Sequence, residues 1–448
     1  MNKNDEIILE ITAVANEGNG IGKYEGMAVF VPFCVPGDII KARIVKLRKN
    51  YCFGKLIDFI KKSDLRIESD CPLFSKCGGC AFRNISYENE IQLKTLKVAD
   101  DMKRIGGISV TPQTAVFGNE FRYRNKVQYP CNECGDFGFY SLRSHRVMPF
   151  ENGKCLLQPN EFDTAVGEVS DFLKAKGVSF YNEEVHKGLV RHLYLRKAFA
   201  TNEIMAVLVI NSKSFKYSDE LVNVFKKCFG DNLKTVILNH NLKDTNVVLG
   251  NDETVIYGNG YITDVLCGVK VRISAHSFYQ VNRDMAEKLY NKAKEYACPI
   301  SKTVLDLYCG AGTIGLSMAD CAKNIVGVEI VPQAVEDAIF NAKNNGITNA
   351  RFICDDASGA ALNLAKEGIK PDVVILDPPR KGCDKALLQT VADDFSPERI
   401  VYVSCDPATL ARDCAVLKEL GYEVKEYTPF DLFPRTEHVE TVCLLLRS

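Results

Sequence analysis

The feature that most constrains the fold is the stretch 303–319, which reads TVLDLYCGAGTIGLSMA. Its largely apolar residues 304–307 predict a buried strand, Gly310 and Gly312 predict a tight turn, and the residues that follow are typical of a helix. In doubly wound α/β folds this arrangement binds a nucleotide-like cofactor at the carboxyl end of the first strand. The stretch therefore predicts where in the chain a cofactor site lies.

Strand-like and helix-like segments alternate from this stretch to residue 448. The later strand-like segments read NIVGVEI, ARFICD, DVVILDPP and RIVYVSC. Such βα repetition predicts a parallel sheet with helices on both faces. We assign residues 273–448 to this doubly wound, Rossmann-like domain of the α/β class.

The residues before 273 divide into two further regions. Residues 1–62 contain short alternating segments separated by glycines, which predicts a small closed β-barrel of the OB type. Residues 63–272 contain several hairpin-like strands, which predicts a mixed α/β, largely antiparallel central domain. One apolar helical pattern in this region, 86–106, predicts a helix that packs on the carboxyl-terminal domain.

Charge and targeting signals narrow the choice of partners and compartment. The 448 residues carry a formal net charge of -1, so the local distribution of charge has to decide about nucleic acid. Between residues 41 and 66 nine basic residues face two acidic ones, which indicates either a surface that follows a phosphate backbone or a solvated strand face. No membrane span is visible, and the opening residues lack the basic start and apolar run of a secretory signal. We expect a cytoplasmic monomer without a membrane partner.

Eighteen cysteines in such a chain indicate thiol or metal chemistry rather than a disulfide framework. Cys71, Cys77 and Cys80 form a compact group with two glycines between the last two. A zinc site could combine Cys77 and Cys80 with a second CxxC pair, Cys131 and Cys134. An iron–sulfur cluster could instead use the first three cysteines and a distant fourth. The spacing within the group leaves both sites open.

The glycine turn fits two classes of cofactor. Gly310, Gly312 and Gly315 spell the GxGxxG pattern of dinucleotide-binding enzymes, and Glu329 lies where such folds place a ribose-binding acid. A nicotinamide or flavin dehydrogenase is therefore one interpretation of the turn.

Two later strands favour a methyltransferase instead. One strand ends in Asp377 and another delivers Cys405 to the same sheet edge, and neither residue is expected equipment for hydride transfer. In a methyltransferase, Glu329 would accept hydrogen bonds from the ribose hydroxyls of S-adenosylmethionine, and Asp356 would lie near the adenine.

Cys405 and Glu440 have the chemistry needed to methylate C5 of a pyrimidine. C5 is not nucleophilic until a thiolate adds at C6, so a cysteine solves the problem by covalent catalysis. The C5 proton must then pass to a base before the thiol is eliminated. Cys405 ends a predicted strand, and Glu440 precedes the last apolar strand, with His438 as the competing candidate for the base.

Four motifs resemble those of the RNA (uracil-5-)-methyltransferase family: LDLYCGAGTIGL, LDPPRKGC, VSCDPATLARDC and FPRTEHVETV. The amino-terminal barrel resembles that family's TRAM domain, so the resemblance covers essentially the whole chain. It implies methylation of uridine C5 in structured RNA with S-adenosylmethionine, closest to the enzymes of 23S ribosomal RNA. The transfer RNA T-loop enzymes, which commonly lack the barrel and the cysteine group, are one alternative. A non-catalytic RNA-binding protein is an alternative of another class.

The resemblance also implies roles for individual residues. Cys405 corresponds to the nucleophile and Glu440 to the base that takes the C5 proton. Gln280, Tyr308, Glu329 and Asp377 match the family's cofactor-binding positions, beside the turn glycines Gly310 and Gly312 and the carboxylate of Asp356.

The cysteine group and one departure from the family complete the implied site. The family carries a 4Fe-4S cluster on a CxxxxxCGGC pattern, which implies the ligands Cys71, Cys77, Cys80 and Cys155. Asp406 stands where many relatives have asparagine, and a carboxylate beside the nucleophile would disfavour its thiolate unless it points away or is paired.

The RNA partner suggests further contacts. A uracil inside folded RNA must leave its stack to enter such a site. Basic residues on two predicted hairpin strands, with aromatic residues interleaved on the first, are candidate RNA contacts. They are Arg122, Arg124, Lys126, Arg143, His145, Arg146, Phe121, Tyr123 and Tyr129.

Overall fold

The computed structural model describes residues 1–15, 17–150 and 155–448. These residues form a closed barrel, a five-stranded mixed sheet and a seven-stranded sheet, joined by two small two-stranded sheets. Across the described ranges, no helix combines the length and the apolar character that crossing a membrane requires.

The barrel is built from five strands in the order β1-β2-β3-β5-β4. The strands are β1 (Glu6–Val14), β2 (Gly20–Tyr24), β3 (Met27–Val31), β4 (Ile39–Leu47) and β5 (Tyr51–Lys61). Alternate residues of β1, such as Ile7, Leu9 and Ile11, are buried in the barrel core while their neighbours are exposed. The predicted OB-type barrel is confirmed.

Helix α1 (Tyr87–Arg104) connects the cysteine-rich loop to the rest of the molecule. Its first turn is capped by the Ser86 hydroxyl, which accepts a hydrogen bond from the backbone N–H of Asn89. Val98 and Met102 on its apolar face share a hydrophobic core with residues of the carboxyl-terminal sheet layer. The helix therefore packs on the region that carries the cofactor turn.

The central region has a sheet in the order β12-β11-β10-β9-β6, in which only β10 and β11 are parallel. Two helices cover one of its faces, with Phe162 and Phe225 in the shared core. This largely antiparallel, mixed α/β region agrees with the prediction. Its elements are β6 (Lys126–Pro130), β7 (Gly138–Tyr140), β8 (Val147–Pro149), α2 (Asn160–Ala175), β9 (Val190–Lys197), β10 (Ile204–Ile210), α3 (Ser218–Phe229), β11 (Leu233–His240), β12 (Asp252–Tyr257), β13 (Tyr261–Leu266) and β14 (Val269–Ser274).

The carboxyl-terminal region is a seven-stranded sheet in the order β17-β16-β15-β18-β19-β21-β20 with helices on both faces. The Rossmann-like fold is confirmed. Its elements are α4 (Arg283–Ala297), β15 (Thr303–Leu307), α5 (Thr313–Leu316), β16 (Asn324–Glu329), α6 (Pro332–Asn344), β17 (Ala350–Cys354), α7 (Ala357–Lys366), β18 (Val373–Leu376), α8 (Lys385–Gln389), β19 (Arg399–Ser404), α9 (Pro407–Glu419), β20 (Tyr422–Phe430) and β21 (Glu440–Arg447).

The last strand departs from the predicted parallel pattern. β21 runs antiparallel to both of its neighbours, β19 and β20. The connection 431–439 is too short for the crossover of a dozen or more residues that a parallel neighbour needs. The chain also changes direction across the sheet between β15 and β18, which opens a crevice at the carboxyl ends of these strands. The domain boundaries at 62/63 and 272/273 stay predictions.

Candidate active site

A cavity of about 1710 Å³ opens at the crevice beside β15 and β18. It is lined by eight of the nine residues that the sequence nominates for catalysis or cofactor binding, and Gly312 is the exception. The eight are Gln280, Tyr308, Gly310, Glu329, Asp356, Asp377, Cys405 and Glu440. Seven separate segments of the chain contribute them, and folding brings them to one place.

The two glycines of the turn after β15 have different surroundings. Gly310 has a φ of +54° and open space within 4 Å of where a Cβ would lie, so its backbone borders the cavity without obstruction. Gly312 has a φ of +77°, and a Cβ there would lie 2.9 Å from the ring of Phe352. Packing against Phe352 therefore requires a glycine at position 312, and its predicted role in approaching the cofactor stays a prediction.

Glu329 at the end of β16 is held by two backbone N–H groups. Gly310 N donates to its Oε2 at 3.0 Å, and Val331 N donates to its Oε1 at 2.9 Å. A carboxylate oxygen accepts more than one hydrogen bond, so both oxygens keep capacity for two hydroxyl donors. Glu329 is thus fixed in a conformation that suits a ribose.

Asp356 and Gln280 border the same cavity from opposite sides. Asp356 caps α7, and its Oδ2 accepts from the backbone N–H groups of Ser358 at 3.1 Å and Gly359 at 3.2 Å. The Gln280 carbonyl accepts from the side-chain amide of Asn125 at 2.8 Å, which anchors this loop to the central region. Their positions are set by contacts outside the cavity.

Three ionisable side chains, at the end of β18, the end of β19 and the start of β21, lie at the cavity with raised pKa values. Burial, with the nearby carboxylate of Glu440, raises the pKa of Asp377 to about 8, although Asp377 keeps part of its surface toward the cavity. Burial also raises the pKa of Glu440 to about 7, against an opposing effect of Arg380. Burial and then the carboxylates of Glu440 and Asp377 raise the pKa of the Cys405 thiol to about 11. A thiol and two carboxyl groups from three strands therefore lie at one cavity.

Arg380 is a functional candidate that the sequence did not nominate. It follows Asp377 across two prolines, lines the cavity, and lowers the pKa of both Cys405 and Glu440. The positive charge in the LDPPR motif is the sequence signal that could have identified it. Arg380 is therefore placed to favour the thiolate over the thiol.

Asp406 does not act on the nucleophile next to it. Its Oδ1 accepts from the backbone N–H groups of Ala408 at 3.0 Å and Thr409 at 2.9 Å, so it is the amino-terminal cap of α9. It is absent from the groups that perturb the pKa of Cys405. The carboxylate is therefore paired with backbone N–H groups, which is one of the two arrangements in which we expect it not to disfavour the thiolate.

His438 also reaches the cavity but in a different environment. Its side chain is 37% exposed and lies 3.7 Å from a carboxylate oxygen of Glu437. Burial lowers its pKa, and the nearby Arg380 acts in the same direction. Glu440 is the more enclosed of the two candidate bases.

The four nominated metal-site cysteines are neighbours in the structure. The pKa of Cys77 is raised by burial and by Cys80 and Cys71, and each of the six possible pairs among the four thiols shows such an effect. Cys155 joins the other three although the sequence separates it widely from them. Within the described ranges, however, no group of three or more His, Cys, Asp or Glu side chains is arranged to hold a metal ion. The four thiols therefore lie near one another but do not have the arrangement of a metal site.

The alternative zinc set is not supported. The Cys131 thiol is buried and lies 3.1 Å from the carbonyl oxygen of Val190, inside the central core. Neither Cys131 nor Cys134 is among the groups that perturb Cys77 or Cys80. Two CxxC pairs therefore do not meet.

Several predicted RNA contacts have structural roles instead. Tyr129 is buried on β6 in the core of the central region. Tyr123, which precedes β6, is buried as well and donates to the carbonyl oxygen of Pro434 at 3.0 Å. Arg122 donates to the carbonyl oxygens of Cys155 and Gln158 and pairs with a carboxylate. Two other nominated cations, Arg124 and Lys126, do line the cavity, whereas three more lie on the exposed side of this region. These three are Arg143, His145 and Arg146.

Comparison with known proteins decides the family. The sequence model of the tRNA (uracil-5-)-methyltransferase family matches residues 150–448. The chain belongs to this family. A TRAM domain matches residues 3–57, in the barrel.

Full-length relatives agree with the family assignment. An uncharacterized RNA methyltransferase of Halalkalibacterium halodurans is 41% identical over 99% of this chain and 98% of its own length. Another from Clostridium acetobutylicum is 42% identical over the same shares. This family member is accordingly an RNA (uracil-5-)-methyltransferase that depends on S-adenosylmethionine.

A solved structure shares the fold along the whole chain. The Pyrococcus abyssi tRNA (uracil-54, C5)-methyltransferase in complex with S-adenosyl-L-homocysteine has a TM-score of 0.79 and 24% identity. The alignment covers 98% of this chain and 100% of that one.

Proposed function

We propose that this family member methylates C5 of a uridine in 23S ribosomal RNA, with Cys405 as nucleophile and Glu440 as base. The observation that supports this most strongly is the meeting of Cys405, Asp377 and Glu440 at one cavity. Each comes from a different strand, and the two carboxylates lie close enough to the thiol that both raise the pKa of Cys405. A non-catalytic RNA-binding protein would have no need for such a group.

The reaction begins at the thiol. Cys405 gives its proton to solvent, and its thiolate sulfur adds to C6 of the uracil, which makes C5 enolate-like. C5 then attacks the methyl group, whose bonding pair stays with the sulfur of the departing S-adenosyl-L-homocysteine. Arg380 supports the first step, because a nearby cation stabilises the thiolate.

The reaction ends at the carboxylate. Glu440 takes the C5 proton, the electron pair of the C5–H bond forms the C5–C6 double bond, and the C6–S bond breaks to release the thiolate. A pKa near 7 suits a general base at neutral pH, since the carboxylate is both available and basic enough.

The remaining nominated residues bind the methyl donor. When bound, S-adenosylmethionine supplies an electrophilic methyl group. Glu329 is placed to accept from the ribose, Asp356 lies on the adenine side, and Gly310 lets the backbone approach. Gln280 and Tyr308 would close the site around the donor.

Transfer RNA is the second candidate substrate. Our preference for ribosomal RNA rests on the barrel and the gathered thiols. The Pyrococcus abyssi tRNA enzyme nevertheless aligns with 98% of this chain, so full-length similarity does not separate the two RNAs.

Mapping 5-methyluridine distinguishes the substrates. We expect a deletion strain to lose the modification at one or more positions of 23S ribosomal RNA and to keep it in transfer RNA. Purified enzyme should restore it on ribosomal RNA from that strain. Loss in the T-loop alone would replace the proposed substrate with transfer RNA.

We also propose a 4Fe-4S cluster on Cys71, Cys77, Cys80 and Cys155. Four thiols that all influence one another fit the thiolate donor set of such a cluster. Anaerobically purified protein should be brown and contain iron and sulfide, and Cys155→Ser should lose both. Colourless protein with stoichiometric zinc would contradict the cluster.

A face of the barrel is our candidate for holding RNA beyond the cavity. The rings of Phe30, Tyr51 and Phe53 lie 5.7 Å apart in each pair, on the outside of β3 and β5. Lys46 on β4 is paired with Phe53 on β5, and Lys55 lies two residues further along β5 on the same side. Aromatic rings that stack on bases beside cations that meet phosphates suit single-stranded RNA. We name these five residues the barrel face.

Part of the predicted basic surface is used within the barrel. Lys41 and Arg43 pair with Glu6, and Arg66 pairs with Asp38. The barrel-face lysines make no ion pair with any residue of the described ranges. They are therefore available to meet phosphates beside the three rings.

A further inference from the structure

A buried arginine lies behind the turn that leads into β21. Residues 433–438 form this turn, and Phe433, Thr436 and His438 line the cavity from it. Arg435 lies among them but is only 5% exposed, on the side away from the cavity. Its φ of +71° is a left-handed value that a non-glycine residue keeps only where its surroundings hold it.

The side chain of Arg435 binds two segments that are distant in sequence. Its Nη1 donates to the carbonyl oxygens of Phe82 at 3.2 Å and Ile85 at 2.9 Å. Its Nε donates to the carboxylate of Glu120. The planar fork of an arginine allows these bonds at once, whereas a lysine offers one charged nitrogen.

The backbone of Arg435 is bound as well. Its N–H donates to Oε1 of Glu90 on α1 at 2.8 Å. Its carbonyl oxygen accepts from the N–H groups of Ala81 at 2.8 Å and Phe82 at 3.1 Å. Ala81 directly follows Cys80, so one residue joins the thiol loop, α1 and the catalytic turn.

We propose that Arg435 is a positioning residue that sets the place of Glu440 for removal of the C5 proton. This inference rests on the proposed function of Glu440. Glu440 begins β21 directly after the turn, so a shift of the turn moves its carboxylate. Cys405 and Asp377 follow β19 and β18, which Arg435 does not contact. Loss of its bonds should therefore slow the last step and spare the first.

A single-turnover experiment with labelled methyl donor separates these steps. In Arg435→Lys, thiol addition and methyl transfer should stay within about twofold of wild type, while release of methylated RNA slows by roughly ten- to a hundredfold. Labelled methyl should accumulate in a covalent protein–RNA complex. Glu120→Gln, which weakens the same anchor, should show the same pattern more mildly and serves if the lysine variant fails to fold.

A matched arginine controls for general effects. Arg283→Lys changes an arginine that also bonds a carbonyl and carboxylates, but outside the cavity lining, and should behave as wild type. Equal slowing of all steps in the Arg435 and Glu120 variants, or release at the wild-type rate, would overturn the positioning role. Wild-type protein that forms no covalent complex at all would instead overturn the proposed function.

Discussion

The pKa of Glu440 predicts how the last step depends on pH. Because burial raises this pKa to about 7, the carboxylate is protonated and inactive at lower pH. Release of methylated RNA should fall about tenfold per pH unit below 7 and level off above it. Single-turnover release measured across neutral pH checks this, and an unchanged rate at low pH would contradict a carboxylate base.

The same pKa has a consequence for stability. Since it lies above the ordinary value of 4.5, the folded state holds the proton more tightly than the unfolded chain does. The stability that this adds is lost as the pH rises from about 4.5 through about 7. Glu440→Gln should remove this dependence from urea unfolding.

Two substitutions of Asp406 test its role as a helix cap separately from any effect on the nucleophile. Asp406→Ala should destabilise the protein by about 1 kcal/mol, because α9 loses its cap, whereas asparagine keeps the cap. Unfolding in urea measures this. A large rise in covalent trapping by Asp406→Asn would mean that the carboxylate does hold back the thiolate.

Residue types and motif order were sufficient to nominate eight residues of the cavity lining, because several of them, such as Asp377 and Cys405, directly follow the end of a strand. They could not show the direction in which a side chain points. The cap role of Asp406 and the packing role of Gly312 depend on neighbours such as Phe352, which no local pattern connects to them.

At the scale of elements, α1 is attached to the carboxyl-terminal region by a buried ion cluster. The Lys94 side chain is 1% exposed, and its Nζ lies 2.8 Å from Glu90 and 2.7 Å from Asp431. Tyr87 donates to the same aspartate at 2.7 Å. These contacts hold the start of the loop that leads to β21.

Replacement of Lys94 should therefore strongly destabilise the folded protein. Lys94→Met leaves the buried carboxylate of Asp431 without its cation and leaves Glu90 with only the guanidinium of Arg435, 3.5 Å away. We expect a loss of about 3–5 kcal/mol in the free energy of unfolding. Arg104→Ala on the same helix removes an exposed pair with Asp100 and should cost under about 0.5 kcal/mol. Similar losses in the two variants would show that the cluster does not anchor α1.

Periodicity predicted α1 as a helix, but its buried lysine gave no signal in the sequence. Lys94 meets Asp431 across more than three hundred positions, so the pairing depends on the assembled fold. The antiparallel β21 was missed for a related reason, since strand direction depends on where the short connection can reach.

At the scale of the whole molecule, the barrel face should contribute to RNA binding through phosphate contacts. Lys46→Glu and Lys55→Glu should each weaken RNA binding and reduce the slope of log affinity against log salt by about 1. Lys227→Ala, which removes a surface lysine paired with Glu168, is the control and should leave the slope unchanged. Identical slopes in all three variants would place the RNA on another surface.

The covalent role of Cys405 is the central claim about the molecule, and RNA with 5-fluorouridine at the target position tests it directly. Fluorine at C5 cannot leave as a proton does, so the adduct between thiol and C6 persists. Wild type and the exposed-cysteine control Cys298→Ala should both give a stable protein–RNA complex in the presence of S-adenosylmethionine. Cys405→Ala should give none. A Cys405→Ala protein that still forms the complex would contradict the account.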